Sequence, residues 1–141
     1  MAQPAPGSTD LTSMLSTLAP SLDPETYVFC TFPASTPKSN SLPAKFTFEE
    51  SEGTTVVTTL AAAREHNAEY TFACKMVTIT VHSSLEAVGL LAAITTHLAK
   101  EVGVGVNAVS AFYHDHLFVP LGREQEVMES LRRLAEQSRS T

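Results

Sequence analysis

The feature that most constrains this chain is the patterning of its second half, where strand and helix signals follow one another with clear boundaries. Phe72 to His82 is rich in β-branched and apolar residues, with Met76-Val77-Thr78-Ile79-Thr80-Val81 at its centre, and reads as one long strand. Ser83 and Glu86 stand three apart in the pattern of a capping box and predict a helix from about Ser84 to Lys100. Along it Ala87, Leu90, Leu91, Ile94 and Leu98 fall on one face, and Gly103 and Gly105 end it. Val104 to Tyr113 predicts a strand, His114-Asp115 a tight turn, and His116 to Pro120 the hairpin partner. A last helix runs from Gly122 or Arg123 to about Gln137, with Val127, Leu131 and Leu134 facing inward. The order strand–helix–strand–strand–helix is a ferredoxin-like core without an obvious final strand.

The first half is less regular. Residues 1–9 are rich in Pro, Gly, Ser, Thr and Ala and read as a disordered tail. Asp10 is suited to cap a short helix carrying Leu11, Met14, Leu15 and Leu18, which Pro20 stops. Thr26 to Phe32 reads as a buried strand between Pro24 and Pro33, and residues 33–43 as a loop. Lys45 to Glu50 and Thr54 to Leu60 flank Glu52-Gly53 and predict a hairpin. Ala61 to His66 predicts a short helix, which Asn67 can end in the left-handed conformation. The chain has 141 residues, so each half holds only about 65, a marginal size for a lone domain. Two lobes sharing one sheet resolve this. The expected class is α+β: two ferredoxin-like lobes side by side, an N-terminal one over 10–71 and a C-terminal one over 72–141, with an antiparallel sheet and helices on one face.

Charge and composition exclude several partner classes. The net charge is −6 and the nine basic residues are scattered, so a nucleic-acid partner is not expected. Charged residues make up only 17%, which hints at self-association through shared surface. No secretion signal and no apolar run of membrane-spanning length is visible, which makes the cytoplasm the expected compartment. Cys30 and Cys74 sit in apolar, strand-like contexts and read as buried free thiols. No nucleophile motif, phosphate loop or cofactor fingerprint is present, so no cofactor is expected.

Three segments carry a family resemblance: Met76–Ala99 (MVTITVHSSLEAVGLLAAITTHLA), Val104–Pro120 (VGVNAVSAFYHDHLFVP), and the earlier YVFCTF with FTFEESEGTTVV. Together they resemble the small two-lobed ACT proteins, relatives of the paired ACT domains of aspartokinases and of CASTOR-type arginine sensors. The resemblance implies side-by-side β-α-β-β-α-β lobes. It also implies an effector, usually an amino acid or related carboxylate, at a lobe or subunit interface near the loop after the first strand. Here that loop holds His82, Ser83, Ser84, Leu85, Glu86, Ala87, Val88 and Gly89. No kinase, dehydrogenase or transporter domain is joined to the lobes, so a regulator of this kind is expected to act on a partner and to form a homodimer.

Two stretches carry the candidate chemistry. At the Ser83–Gly89 helix start, free N–H groups and the dipole suit a carboxylate, with a Ser83 or Ser84 hydroxyl assisting. Gly89 would allow close approach, and Glu86 or Asp115 would accept from an ammonium. The plain alternative is that Ser83 and Glu86 only cap the helix. The second stretch is Tyr113-His114-Asp115-His116. It reads as a polar hairpin tip, as a metal-binding His pair joined by His82, or as a proton-transfer site of a small cofactor-independent enzyme. His66 and His97 are expected on helix surfaces. A third kind of function, partner binding by strand addition, would follow from an open sheet edge.

Overall fold

The computed structural model describes residues 8–34, 42–81 and 88–140. The elements run α1 (Ser8–Ser16), β1 (Ala19–Pro33), β2 (Phe46–Glu49), β3 (Gly53–Thr59), α2 (Leu60–Glu65), β4 (Thr71–Thr80), α3 (Leu90–Glu101), β5 (Asn107–Ser110), β6 (Asp115–Pro120) and α4 (Glu124–Arg139). The α+β class expected from the sequence holds. Two compact units form: a larger one from Met1–Asp23 with Met76–Thr141, and a smaller one from Pro24–Lys75.

In the larger unit the strand order is β1-β4-β6-β5. Alternation puts Val77 and Ile79 of β4, and Leu117 and Val119 of β6, on one sheet face. That face is covered by apolar stripes: Met14 and Leu15 from α1, Leu90, Ile94 and Leu98 from α3, and Val127 and Leu131 from α4. The predicted helix face 90, 94, 98 is the buried one. α3 ends through Gly103, whose φ of +74° lets its N–H reach the Leu98 carbonyl at 3.0 Å. On α4, Arg123 forks onto the Glu126 carboxylate, 2.7 Å at the shortest.

In the smaller unit the order is β2-β3-β1-β4. β1 and β3 pair antiparallel from Tyr27↔Thr59 to Pro33↔Gly53, and β2 closes a hairpin on β3. Val28, Cys30 and Val56 face α2, which contributes Ala62 and Ala63. Thr59 caps α2 by accepting from the Ala62 N–H at 3.1 Å. Asn67 takes a φ of +54°, the left-handed exit expected of it.

Four expected boundaries differ. β1 begins at Ala19 rather than Thr26 and runs through Pro20 and Pro24. Its ladder with β3 starts only at Tyr27, so neither proline is asked to donate there. α3 begins at Leu90, with Gly89 as N-cap at φ +87°, rather than at Ser84; Gly89 is held there by its conformation. β5 is four residues, not ten. The turn after it is Ala111–His114, closed by the Ala111 N–H donating to the His114 carbonyl at 2.9 Å. Phe112 and Tyr113 therefore form the tip, and Asp115 and His116 belong to β6.

Candidate functional site

The effector loop expected from the sequence ends at the start of α3. His82, Ser83, Ser84, Leu85, Glu86 and Ala87 lie outside the described residues. Val88 and Gly89 are described. Val88 is 87% exposed. Gly89 caps α3 without any side-chain hydrogen bond to the first turn. The first bond of the helix is Ala93 N–H to the Gly89 carbonyl, at 2.9 Å. The N–H groups of Leu90, Leu91 and Ala92 thus stand at the positive end of a twelve-residue helix with no side chain capping them from position 89. Such an end can hold a carboxylate. Among the described residues, a Cβ on Gly89 would meet Leu11 Cδ2 alone, at 4.0 Å, so the left-handed φ rather than crowding favours glycine there.

The hairpin residues divide between two faces and a tip. His114, which ends the turn, and His116 of β6 lie on one face, their rings 6.2 Å apart and nearly perpendicular. The His116 Nδ1 and the Thr78 hydroxyl share a hydrogen bond at 3.1 Å, and the His114 Nδ1 and the Thr80 hydroxyl share one at 3.3 Å. Asp115 points the other way along the strand, where it accepts from the Ser110 hydroxyl at 2.5 Å. The neighbouring His and Asp are therefore not brought together as an acid–base pair. Tyr113 stands exposed at the tip against Phe112, with ring centroids 4.9 Å apart. Among the described residues, no group of three or more His, Cys, Asp or Glu is placed to hold a metal.

The cysteines are not placed for nucleophilic work. Burial pushes the Cys30 thiol up and drives Cys74 to about 12, so both stay protonated at neutral pH. Cys74 donates to the Tyr27 carbonyl, at 3.4 Å. His97, expected on a surface, instead reaches Ser130 of α4: its Nε2 lies 2.8 Å from the Ser130 hydroxyl, and Ser130 is fully buried.

Sequence reasoning missed a cleft in the smaller unit. It has a volume of about 580 Å³ and is lined by Phe29, Cys30, Thr31, Thr55, Ala68, Glu69, Tyr70 and Thr71. Its floor comes from β1 and β3, and its wall from the α2–β4 connection. The next residue, Phe72, sits at φ +54°, a conformation that costs a bulky side chain about 1–3 kcal/mol. Its ring packs at 5.8 Å on Phe29, which holds it there. The sequence signal was Glu69-Tyr70-Thr71, an acidic and aromatic run between a helix and a strand.

Comparison with known proteins covers nearly the whole chain. Residues 6–75 match one ACT domain model and residues 71–133 match another. The crystal structure of VC0802 from Vibrio cholerae, a protein of unknown function described as a possible transport protein, is 36% identical. It superposes with a TM-score of 0.82 over 90% of this chain and 97% of that one. Atu0741 from Agobacterium tumefaciens shares the fold at 14% identity and a TM-score of 0.63, over 79% of this chain and 84% of its own. The ligand-free regulatory subunit of aspartate kinase from Thermus thermophilus shares it at 10% identity and 0.56, over 83% and 95%. No curated protein matches the chain in sequence. None of the described helices is long and apolar enough to cross a membrane.

Proposed function

The chain belongs to the ACT-domain family, and on that premise we propose that it is a regulatory module that binds an amino acid or a related small carboxylate. ACT domains generally bind small-molecule ligands, and the paired arrangement recurs in aspartokinase regulatory subunits. The ligand site of this reading is the loop over residues 82–89 with the first turn of α3. The observation that carries it is that α3 opens behind Gly89 with no side-chain cap. The N–H groups of Leu90, Leu91 and Ala92 receive no side-chain cap from Gly89, and the helix dipole adds to their attraction for a carboxylate. The N-terminal lobe spans 10–71 and the C-terminal lobe 72–141, the module works as a cytoplasmic homodimer, and it acts on a partner protein.

A thermal-shift screen of the whole chain against the twenty amino acids tests this. One amino acid at a hundred times its dissociation constant should add about 2.7 kcal/mol of stability. Val88→Asp separates the site from the fold. A carboxylate there favours the helix by about 0.3–1 kcal/mol, yet repels a carboxylate ligand. The variant should melt no lower than the parent and lose the ligand shift. A flat screen with every amino acid would overturn the reading.

A further inference from the structure

The cleft of the smaller unit is chemically unlike the start of α3. Its volume of about 580 Å³ lies in the range of small-molecule sites. Among the described residues that line it, Glu69 is the one charged side chain. The neighbouring lysines are engaged elsewhere: Lys75 donates to the Pro24 carbonyl at 2.7 Å, and Lys45 lies over the Tyr27 ring at 5.9 Å. Phe29 and Tyr70 bring aromatic surface, and Thr31 and Thr71 bring hydroxyls that can accept from N–H donors. The strained Phe72 follows this wall in the chain and packs its ring on Phe29, and backbone strain of that kind gathers at ligand sites. A carboxylate would meet repulsion from Glu69, and none of the described lining residues offers a cation.

We propose that this cleft is a second binding site, for a small organic amine with an aromatic or aliphatic body. Its ammonium sits against the Glu69 carboxylate with its remaining N–H groups on the threonine hydroxyls. Its body lies against Phe29 and Tyr70, where aromatic faces add cation–π attraction. This site is independent of the carboxylate reading, since the two differ in place and in the charge of the group they select.

The test is a titration of the whole ¹⁵N-labelled chain with tyramine, followed by backbone amide shifts. Tyrosol, which replaces the amine with a hydroxyl, is the neutral control. Tyramine should shift the amides of Thr31 and Glu69 to Phe72 saturably, and tyrosol should bind about tenfold more weakly, as loss of a charge-assisted contact requires. Glu69→Gln, at an exposed position, should leave the melting temperature unchanged and weaken tyramine by a similar factor; Tyr70→Ala should weaken both compounds. Val88→Asp should change neither. Equal binding of tyrosol, an undiminished Glu69→Gln variant, or shifts at Leu90 to Ala92 instead would overturn the proposal. So would cleft amides that ignore tyramine or move only with protein concentration.

Discussion

In the larger unit, three helices cover one sheet face, and Ile94, Leu98, Leu117, Val119, Val127 and Leu131 are all fully buried. In the smaller unit, one six-residue helix does that work, and its contribution is two buried alanines, Ala62 and Ala63, with Leu60 half-buried beside them. The other sheet face of the smaller unit is aromatic rather than helix-covered: Phe29 meets Phe46 edge-on at 6.2 Å and Phe72 at 5.8 Å. The first unit is stabilised by long helical stripes in which each side chain has many neighbours. The second relies on small residues that let a short helix approach closely, on a cap, and on stacked rings. Candidate sites follow the same division. A helix end serves the larger unit, and a cleft beside strained backbone serves the smaller.

Substitutions in the two cores should expose this difference. Leu98→Ala empties a fully buried position between helix and sheet and should cost about 2–5 kcal/mol by chemical denaturation. Ala63→Leu acts in the opposite sense, forcing volume under α2, and should cost about 1–3 kcal/mol. If Leu98→Ala cost less than Ala63→Leu, the contrast between a deep core and a thin one would fail.

Cys74 gives a pH test confined to the smaller unit. Its thiol is raised in the fold from an ordinary 9.0 to about 12. Above pH 9 the unfolded chain releases this proton while the folded chain keeps it, so the fold loses stability as pH rises from 9 toward 12. Cys74→Ala should flatten that part of the stability curve against the parent. An equal slope in both proteins would show that the buried thiol does not hold its proton.

Thr59→Ala should have the smallest effect, about 1 kcal/mol from loss of the α2 cap. In so short a helix the loss should appear as faster amide exchange at Ala62 and Ala63, with the larger unit unchanged.

Legibility in the sequence followed the length of the pattern. α4 and the buried face of α3 were readable because Leu90, Ile94, Leu98, Val127 and Leu131 repeat at helical spacing over several turns. Thr54 to Leu60, Asn67 and the β2–β3 hairpin were readable from β-branched runs and turn residues. Three local features were not. Pro20 read as the stop of the first helix and Pro24 as the boundary of a strand, yet both lie within β1, where no β3 partner asks for an N–H. The helix read as starting at about Ser84, whereas α3 opens at Leu90 behind a left-handed Gly89, and the Ser83–Glu86 pair lies outside the described residues. His114-Asp115 read as the turn because polar residues favour turns, whereas the aromatic Phe112-Tyr113 pair occupies the tip. The cleft left only the Glu69-Tyr70-Thr71 run as a trace, since Phe29, Thr55 and Glu69 come from three separate segments that no sequence pattern joins.

In the proposed function, the start of α3 of this ACT protein binds a carboxylate. The most direct measurement is backbone amide mapping of whichever amino acid stabilises the chain. Binding should shift the amides of Gly89, Leu90, Leu91 and Ala92 saturably, and Val88→Asp should abolish those shifts while the fold stays intact. Shifts confined to other residues, with the start of α3 silent, would contradict the account.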